Sequence, residues 1–223
     1  MRSAFAVMLL TSQLSAVPAC AGAWLREEGT SFVASTFSAT YFYDLTQSTY
    51  LEYGLREDLT LGADVTTFQN PFGLQTGSAT LFLRFPLGEP TEQGRWAYEL
   101  GAGASWVGEM VSPHLKAGLS WGRGYTLQNR NGWLAVDASV KWEFGFNQGV
   151  IKLDTTAGLD FTEVTSGMVQ LFVSHTSAGT FAKVAPSVIF SPRGTQYRVQ
   201  IGSEVPVNAP ENTTIKIGIW RQF

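Results

Sequence analysis

Residues 213–223 read Thr213-Thr214-Ile215-Lys216-Ile217-Gly218-Ile219-Trp220-Arg221-Gln222-Phe223. In an extended chain Ile215, Ile217, Ile219, Arg221 and Phe223 share one face, while Lys216 and Gly218 fall on the other. A period of two is the mark of a strand with two unlike sides. The same rhythm runs back through the chain, broken by clusters of Gly, Asn, Ser, Thr and Pro. It predicts about twelve strands, over 31–43, 49–55, 59–68, 78–87, 95–106, 113–123, 132–144, 150–161, 167–175, 181–190, 195–205 and 213–223. No window holds helical spacing long enough to predict a helix. No linker or shift in composition divides the chain, so one all-β domain is expected over 24–223.

Composition narrows the class. Charged residues make up 15% of the 223 positions and aromatic residues 13%, against about 25% charged in an ordinary soluble domain. The aromatic and β-branched content excludes disorder. A net charge of -3 with no Lys/Arg run disfavours nucleic acid as a partner. Past the amino terminus no apolar run reaches the roughly 18 residues of a membrane-spanning helix. Met1-Arg2-Ser3 followed by the apolar stretch Ala4–Leu10 reads as a secretory signal peptide. Ala19-Cys20-Ala21 and Ala21-Gly22-Ala23 both fit a small-x-small cleavage site. We take residues 1–23 as the signal peptide and expect the mature chain to start near Trp24. Val17-Pro18-Ala19-Cys20 loosely matches a lipoprotein box, with Pro18 a poor fit. Cys20 is the only cysteine, so the expected mature chain has no disulfide.

The two faces of the twelve strands differ throughout. Read from Val33 to Trp121 and again from Leu134 to Phe223, one is apolar along its length, with Arg221 its only charge. The other carries Glu52, Asp64, Arg84, Glu99, His114, Lys116, Asp137, Lys141, Glu143, Lys152, Asp154, Asp160, Lys183, Arg198, Glu204 and Lys216. The aromatic residues of the apolar face sort by depth. Phe85, Trp96, Tyr98, Trp121, Phe161, Phe190, Tyr197 and Phe223 fall at the strand ends nearer the termini, and Tyr41, Trp106, Trp142 and Phe144 at the opposite ends. Leu, Val, Ile and Ala fill the band between. Amphipathic rings favour the headgroup level of a bilayer, so two girdles about an aliphatic band predict an up-and-down transmembrane β-barrel with its charges in the lumen. So many apolar side chains would overfill the interior of a soluble barrel. A soluble periplasmic sandwich or barrel is the alternative.

The terminal strand, alternating and ending on Phe223, resembles the carboxy-terminal signature of bacterial outer-membrane proteins, which the barrel-assembly machinery reads in that group. The resemblance implies location in the bacterial outer membrane, with membrane lipid and the assembly machinery as partners. In lipid every strand edge must be paired, so the first strand is expected to close on the last.

Few residues suggest chemistry. Ser174-His175-Thr176-Ser177-Ala178-Gly179 resembles the His-x-Ser-Asn of outer-membrane phospholipases and lipid A deacylases, where His is the base and Ser the nucleophile on the lipid-facing surface. It implies a lipid hydrolase built on His175 and Ser177. Ala178 stands where those families carry Asn, and no third residue orients the imidazole. The competing reading is a polar strand end entering a turn. His114 reads as a polar wall residue, since a lone His without Cys or clustered carboxylates is seldom a metal ligand. Gly101-Ala102-Gly103-Ala104 and Gly122-Arg123-Gly124 open no helix and make no phosphate cradle. Neither a cofactor nor a metal is expected. Setting His114 aside, the inward charges are seven basic and eight acidic. Selective pores concentrate one sign, whereas mixed signs suit cross-strand pairs filling a narrow interior. The expected function is a porin-like, transport-type or structural barrel without catalysis, and the solute is not legible. Replacing Phe223 by Ser is expected to slow assembly and lower the amount of protein in the outer membrane, measured by quantitative blotting of membrane fractions. Unchanged levels would contradict the reading of the terminal strand.

Overall fold

The computed structural model describes residues 22–223. Most of the expected signal peptide, Cys20 included, lies outside the described residues. Twelve strands follow in order: β1 (Ser31–Thr40), β2 (Leu45–Arg56), β3 (Leu59–Gln69), β4 (Gln75–Pro86), β5 (Arg95–Val107), β6 (Met110–Leu127), β7 (Arg130–Glu143), β8 (Gln148–Asp160), β9 (Thr165–Thr176), β10 (Gly179–Phe190), β11 (Tyr197–Pro206) and β12 (Thr214–Gln222). One turn of 3₁₀ helix, Pro210–Asn212, precedes the last. Each expected strand is present, with ends displaced by four residues at most.

Every strand pairs with its sequence neighbours, and β1 closes the ring on β12. The seam is in register along its length, from Val33 opposite Arg221 to Ala39 opposite Ile215. Ser31 and Phe223 extend it, the Ser31 N–H donating to the Phe223 carbonyl at 2.7 Å and the Phe223 N–H to the Ser31 carbonyl at 3.0 Å. The soluble sandwich is thereby replaced by a closed barrel with no free edge.

The apolar face points outward. Leu81 is 64% exposed and Ile215 68%, whereas their neighbours Phe82 and Lys216 are 2% and 4% exposed. The rims are aromatic. Phe85 stacks on Tyr98 with centroids 5.2 Å apart, and Trp96 lies opposite Trp121 across β5 and β6. Arg221, an outward charge on the terminal strand, lies 5.0 Å from the ring centroids of both Tyr197 and Phe223. It sits at the rim, where its head can reach polar surroundings while its stem covers ring surface. Tyr41, Phe144, Phe161 and Phe223 fall just beyond the ends of β1, β7, β8 and β12, so turn residues complete the girdles.

Both termini lie at one end, here the proximal end. It carries the connections 57–58, 87–94, 128–129, 161–164 and 191–196. The distal end carries 41–44, 70–74, 108–109, 144–147, 177–178 and 207–213. All are short. Gln128 and Asn129 both have positive φ, 49° and 60°, the type I′ geometry whose twist matches that of the flanking strands.

The interior is less polar than the charge pattern predicts. Phe32, Trp133, Met168, Ile189 and Trp220 form a buried cluster, all on inward positions near the proximal end. Inward glycines admit such rings: a Cβ at Gly158 would overlap the Trp133 indole, and one at Gly62 the Phe82 ring. Reading that face by its charges alone missed this packing.

On this geometry Leu81→Arg places a charge in the exposed aliphatic band and is expected to cost roughly 2–4 kcal/mol at a bilayer midplane. Ser78→Arg on the same strand, which borders an interior cavity, is expected to be much milder. Folding titrations into lipid vesicles measure both, and equal penalties would contradict the face assignment.

Candidate functional site

The proximal half of the interior is crossed by a chain of charges. Glu52 on β2 accepts from Arg26 Nε at 2.5 Å and pairs with Arg84 Nη1 on β4. Arg84 Nη2 donates to Glu99 on β5 at 2.7 Å, and Glu99 accepts from Lys116 Nζ on β6, also at 2.7 Å. Register produces the central contact, since Arg84 lies directly opposite Glu99. The Tyr50 hydroxyl donates to Glu52 at 2.6 Å and accepts from Arg84 Nη2 at 2.9 Å. The Phe82 ring lies 5.0 Å from the Arg84 guanidinium and 5.6 Å from Lys116 Nζ. A planar guanidinium with five donors suits the bridging of two carboxylates. Burial makes each member dependent on the others, because removing one strands a charge in a poor solvent.

The chain preceding β1 folds into this network. Ala23 is 1% exposed and Arg26 6%. Arg26 donates its backbone N–H to Thr60 Oγ1 at 2.9 Å and lies 4.3 Å from the centre of the Phe32 ring. Two glycines permit the approach. A Cβ at Gly54 would overlap the Glu27 carbonyl, and one at Gly122 the Trp24 indole. Gly54 is hydrogen bonded on both sides, its carbonyl accepting from Gly29 N–H at 2.9 Å and its N–H donating to Thr30 at 3.0 Å. The β2–β3 ladder shifts register between Gly54 and Arg56. The sequence reading assigned nothing to this segment. Inward Gly54 and Gly122, with no wall charge to accommodate, were the available signal.

A second group sits toward the distal end. His114 Nε2 is 2.9 Å from Thr80 Oγ1, and its Nδ1 is 3.1 Å from Ser105 Oγ. Ser105 donates to Glu143 at 2.5 Å and accepts from Lys141 at 3.2 Å. Lys141 also pairs with Glu143 at 2.8 Å. Ser105, Lys141 and Glu143 border a cavity of about 480 Å³, together with Thr76, Ser78 and Gln148. With its hydrogen committed to Glu143, Ser105 is a saturated wall residue. No group of three metal-binding side chains exists among the described residues.

On the opposite wall Lys183 donates to Glu204 at 3.2 Å. Lys216 reaches Glu204 at 3.5 Å and Gln170 at 3.4 Å. Lys152 feels the charges of Asp154 and Asp64. Asp137 on β7 lies directly opposite Asp154 on β8. Asp160 accepts from the Ser166 hydroxyl at 2.6 Å, and Arg198 lies opposite Trp220.

The proposed hydrolytic pair does not assemble. β9 ends at Thr176, which puts Ser177 in the turn before β10 rather than on the strand face with His175. The His175 imidazole instead meets its register partner Thr180, Nδ1 to Oγ1, at 2.8 Å. A two-residue turn leaves the serine no strand geometry to share.

No protein-family model matches the chain, and neither does any curated protein by sequence. Solved structures do match in fold. The KdgM porin aligns with a TM-score of 0.62 at 7% identity, over 86% of this chain and 99% of the porin. An outer membrane channel from Pseudomonas putida F1 aligns with a TM-score of 0.58 at 9% identity, over 91% and 98%. LpxR from Salmonella typhimurium aligns with a TM-score of 0.55 at 8% identity, over 85% and 99%. The chain has the fold of a bacterial outer-membrane β-barrel. A likeness at 7–9% identity shows the fold alone, so the interior and the surface of this particular barrel must carry any reading of its function.

In this barrel, Arg84→Ala removes the guanidinium that bridges Glu52 and Glu99, leaving each with a single cation, and is expected to cost about 3–5 kcal/mol. Lys183→Ala removes a partner that is 48% exposed and is expected to cost under about 1 kcal/mol. Denaturant unfolding in lipid vesicles compares the two, and a similar small loss for both would show that the network contributes little.

Proposed function

We propose that this chain is a porin-like barrel of the bacterial outer membrane whose narrow, charge-paired interior passes small polar solutes slowly, without catalysis. The observation that carries this reading is the Arg26–Glu52–Arg84–Glu99–Lys116 chain, which ties four strands and the amino-terminal segment together inside the lumen. Paired charges occupy volume and leave little net field to recruit ions of one sign. The KdgM porin has been solved in complex with disordered oligogalacturonate, a polyanion. An interior in which acids neutralise bases gives such a ligand no continuous positive track, so small neutral or zwitterionic solutes fit this lumen better. Against the hydrolase reading stands the His175 imidazole's hydrogen bond with Thr180 Oγ1, with Ser177 in the turn beyond the strand.

Planar-bilayer recording tests the proposal. The unmodified protein is expected to show small conductance with weak preference between cations and anions. Arg26→Ala, which loosens the inserted segment and leaves Glu52 to Arg84 alone, is expected to raise conductance severalfold. Large, stable channels in the unmodified protein would instead indicate a general diffusion porin. Release of fatty acid from outer-membrane lipid by the purified barrel, lost in His175→Ala, would establish the hydrolase.

A further inference from the structure

Gly22 lies inside the barrel beside Ser120, Asp137 and Arg84. Its backbone N–H donates to the Asp137 carboxylate, which also takes a hydrogen bond from the Ser120 hydroxyl. A Cβ built on Gly22 would overlap the Ser120 hydroxyl and come within 2.6 Å of Asp137 Oδ1 and 3.2 Å of Arg84 Nη2. Only glycine fits this place as it stands. The next residue, Ala23, is 1% exposed, so the first two described residues are packed as part of the interior.

Asp137 lacks a cation of its own. Among the described residues it forms no ion pair with Lys or Arg, and its register partner is a second acid, Asp154. The nearby Arg84 guanidinium is engaged by Glu52 and Glu99. Asp137 is half-buried, and a carboxylate facing another acid is stabilised by a positive partner. Gly22 nitrogen is already in position to be that partner, provided it is the first atom of the chain.

We infer that signal peptidase cuts between Ala21 and Gly22, and that the ammonium group so created is the counter-ion of Asp137. The residues before the bond, Ala19-Cys20-Ala21, satisfy the small-x-small requirement. Water is the co-reactant. The Ala21–Gly22 amide bond breaks, hydroxyl passes to the Ala21 carbonyl carbon, and hydrogen passes to the Gly22 nitrogen. That nitrogen takes a further proton from solvent at neutral pH. The existing N–H···O contact then becomes a charge-assisted bond, shorter and stronger than its neutral form. A cut after Ala23 would discard two packed residues and leave Asp137 with the Ser120 hydroxyl alone. The boundary expected from sequence, residue 23, therefore moves by two. Maturation and folding are linked: the inserted segment is seated by a charge that exists only once the leader is gone. The inference does not depend on whether the lumen conducts, because terminus and conductance are measured separately.

The test uses mature protein purified from outer membranes. Amino-terminal sequencing and intact mass are expected to show a chain beginning at Gly22 with a free amine. Labelling with an amine-selective acetylating ester at neutral pH, read on the amino-terminal peptide by mass spectrometry, is expected to be slower in the folded barrel than in the heat-unfolded chain by about tenfold or more. Asp137→Asn is expected to raise the folded-state rate severalfold toward the unfolded value. Labelling of the unmodified protein decides the matter even if that variant fails to fold. A chain beginning at Trp24 or at an acylated Cys20, equal labelling in the two states, or a folded Asp137→Asn protein labelled no faster would each overturn it.

Discussion

A backbone amide in hydrocarbon has no water to turn to, and most features of this protein follow from that. Each unpaired N–H or C=O there costs several kcal/mol, so a sheet crossing a bilayer must have no edge. The β1–β12 seam meets the requirement in register, and Ser31 and Phe223 carry the pairing past the last strand residues. Closure also fixes what the side chains can do. Alternate residues must face lipid or lumen, and a slip of one residue would exchange the two sets entirely. The exposed Leu81 beside the buried Phe82 shows how sharply the sheet separates them.

Closure creates an interior, and the interior needs contents. At the proximal end this barrel uses an apolar cluster around Phe32, Trp133 and Trp220, then a layer of guanidinium and carboxylate groups. The amino-terminal segment fits between them. Its Arg26 stacks on Phe32 and completes Glu52, so it belongs to both layers. Toward the distal end the wall carries hydroxyls, His114 and the Lys141–Glu143 pair around open volume. The lumen is thus graded, with packed rings and paired charges toward one end and a cavity bordered by polar wall residues toward the other.

Much of the fold was legible because period two is a local signal repeated in every strand. Strand number, closure and the outward face all came from it. Strand ends were less legible, since Tyr41 and Phe144 continue the pattern into turns where no ladder exists. The same weakness misplaced Ser177: His175 and Ser177 share parity on paper, but the strand stops between them. Charge marked the wall residues, yet charge alone could not show that Phe32, Trp133, Met168 and Trp220 also turn inward. Their partners were glycines, which read as absence. The segment from Gly22 to Thr30 has no periodicity, and its place is set by contacts with residues far along the chain, such as Thr60 and Gly122.

The connections at the distal end are turns rather than long loops, and the longest of them is held short by its 3₁₀ turn at Pro210–Asn212. Both termini lie at the other end, so only short turns rise from this one. A bulky object approaching the distal end of a barrel set in a bilayer would meet lipid headgroups before it met much protein. Small molecules would find the mouth unguarded, with selection left to the walls within.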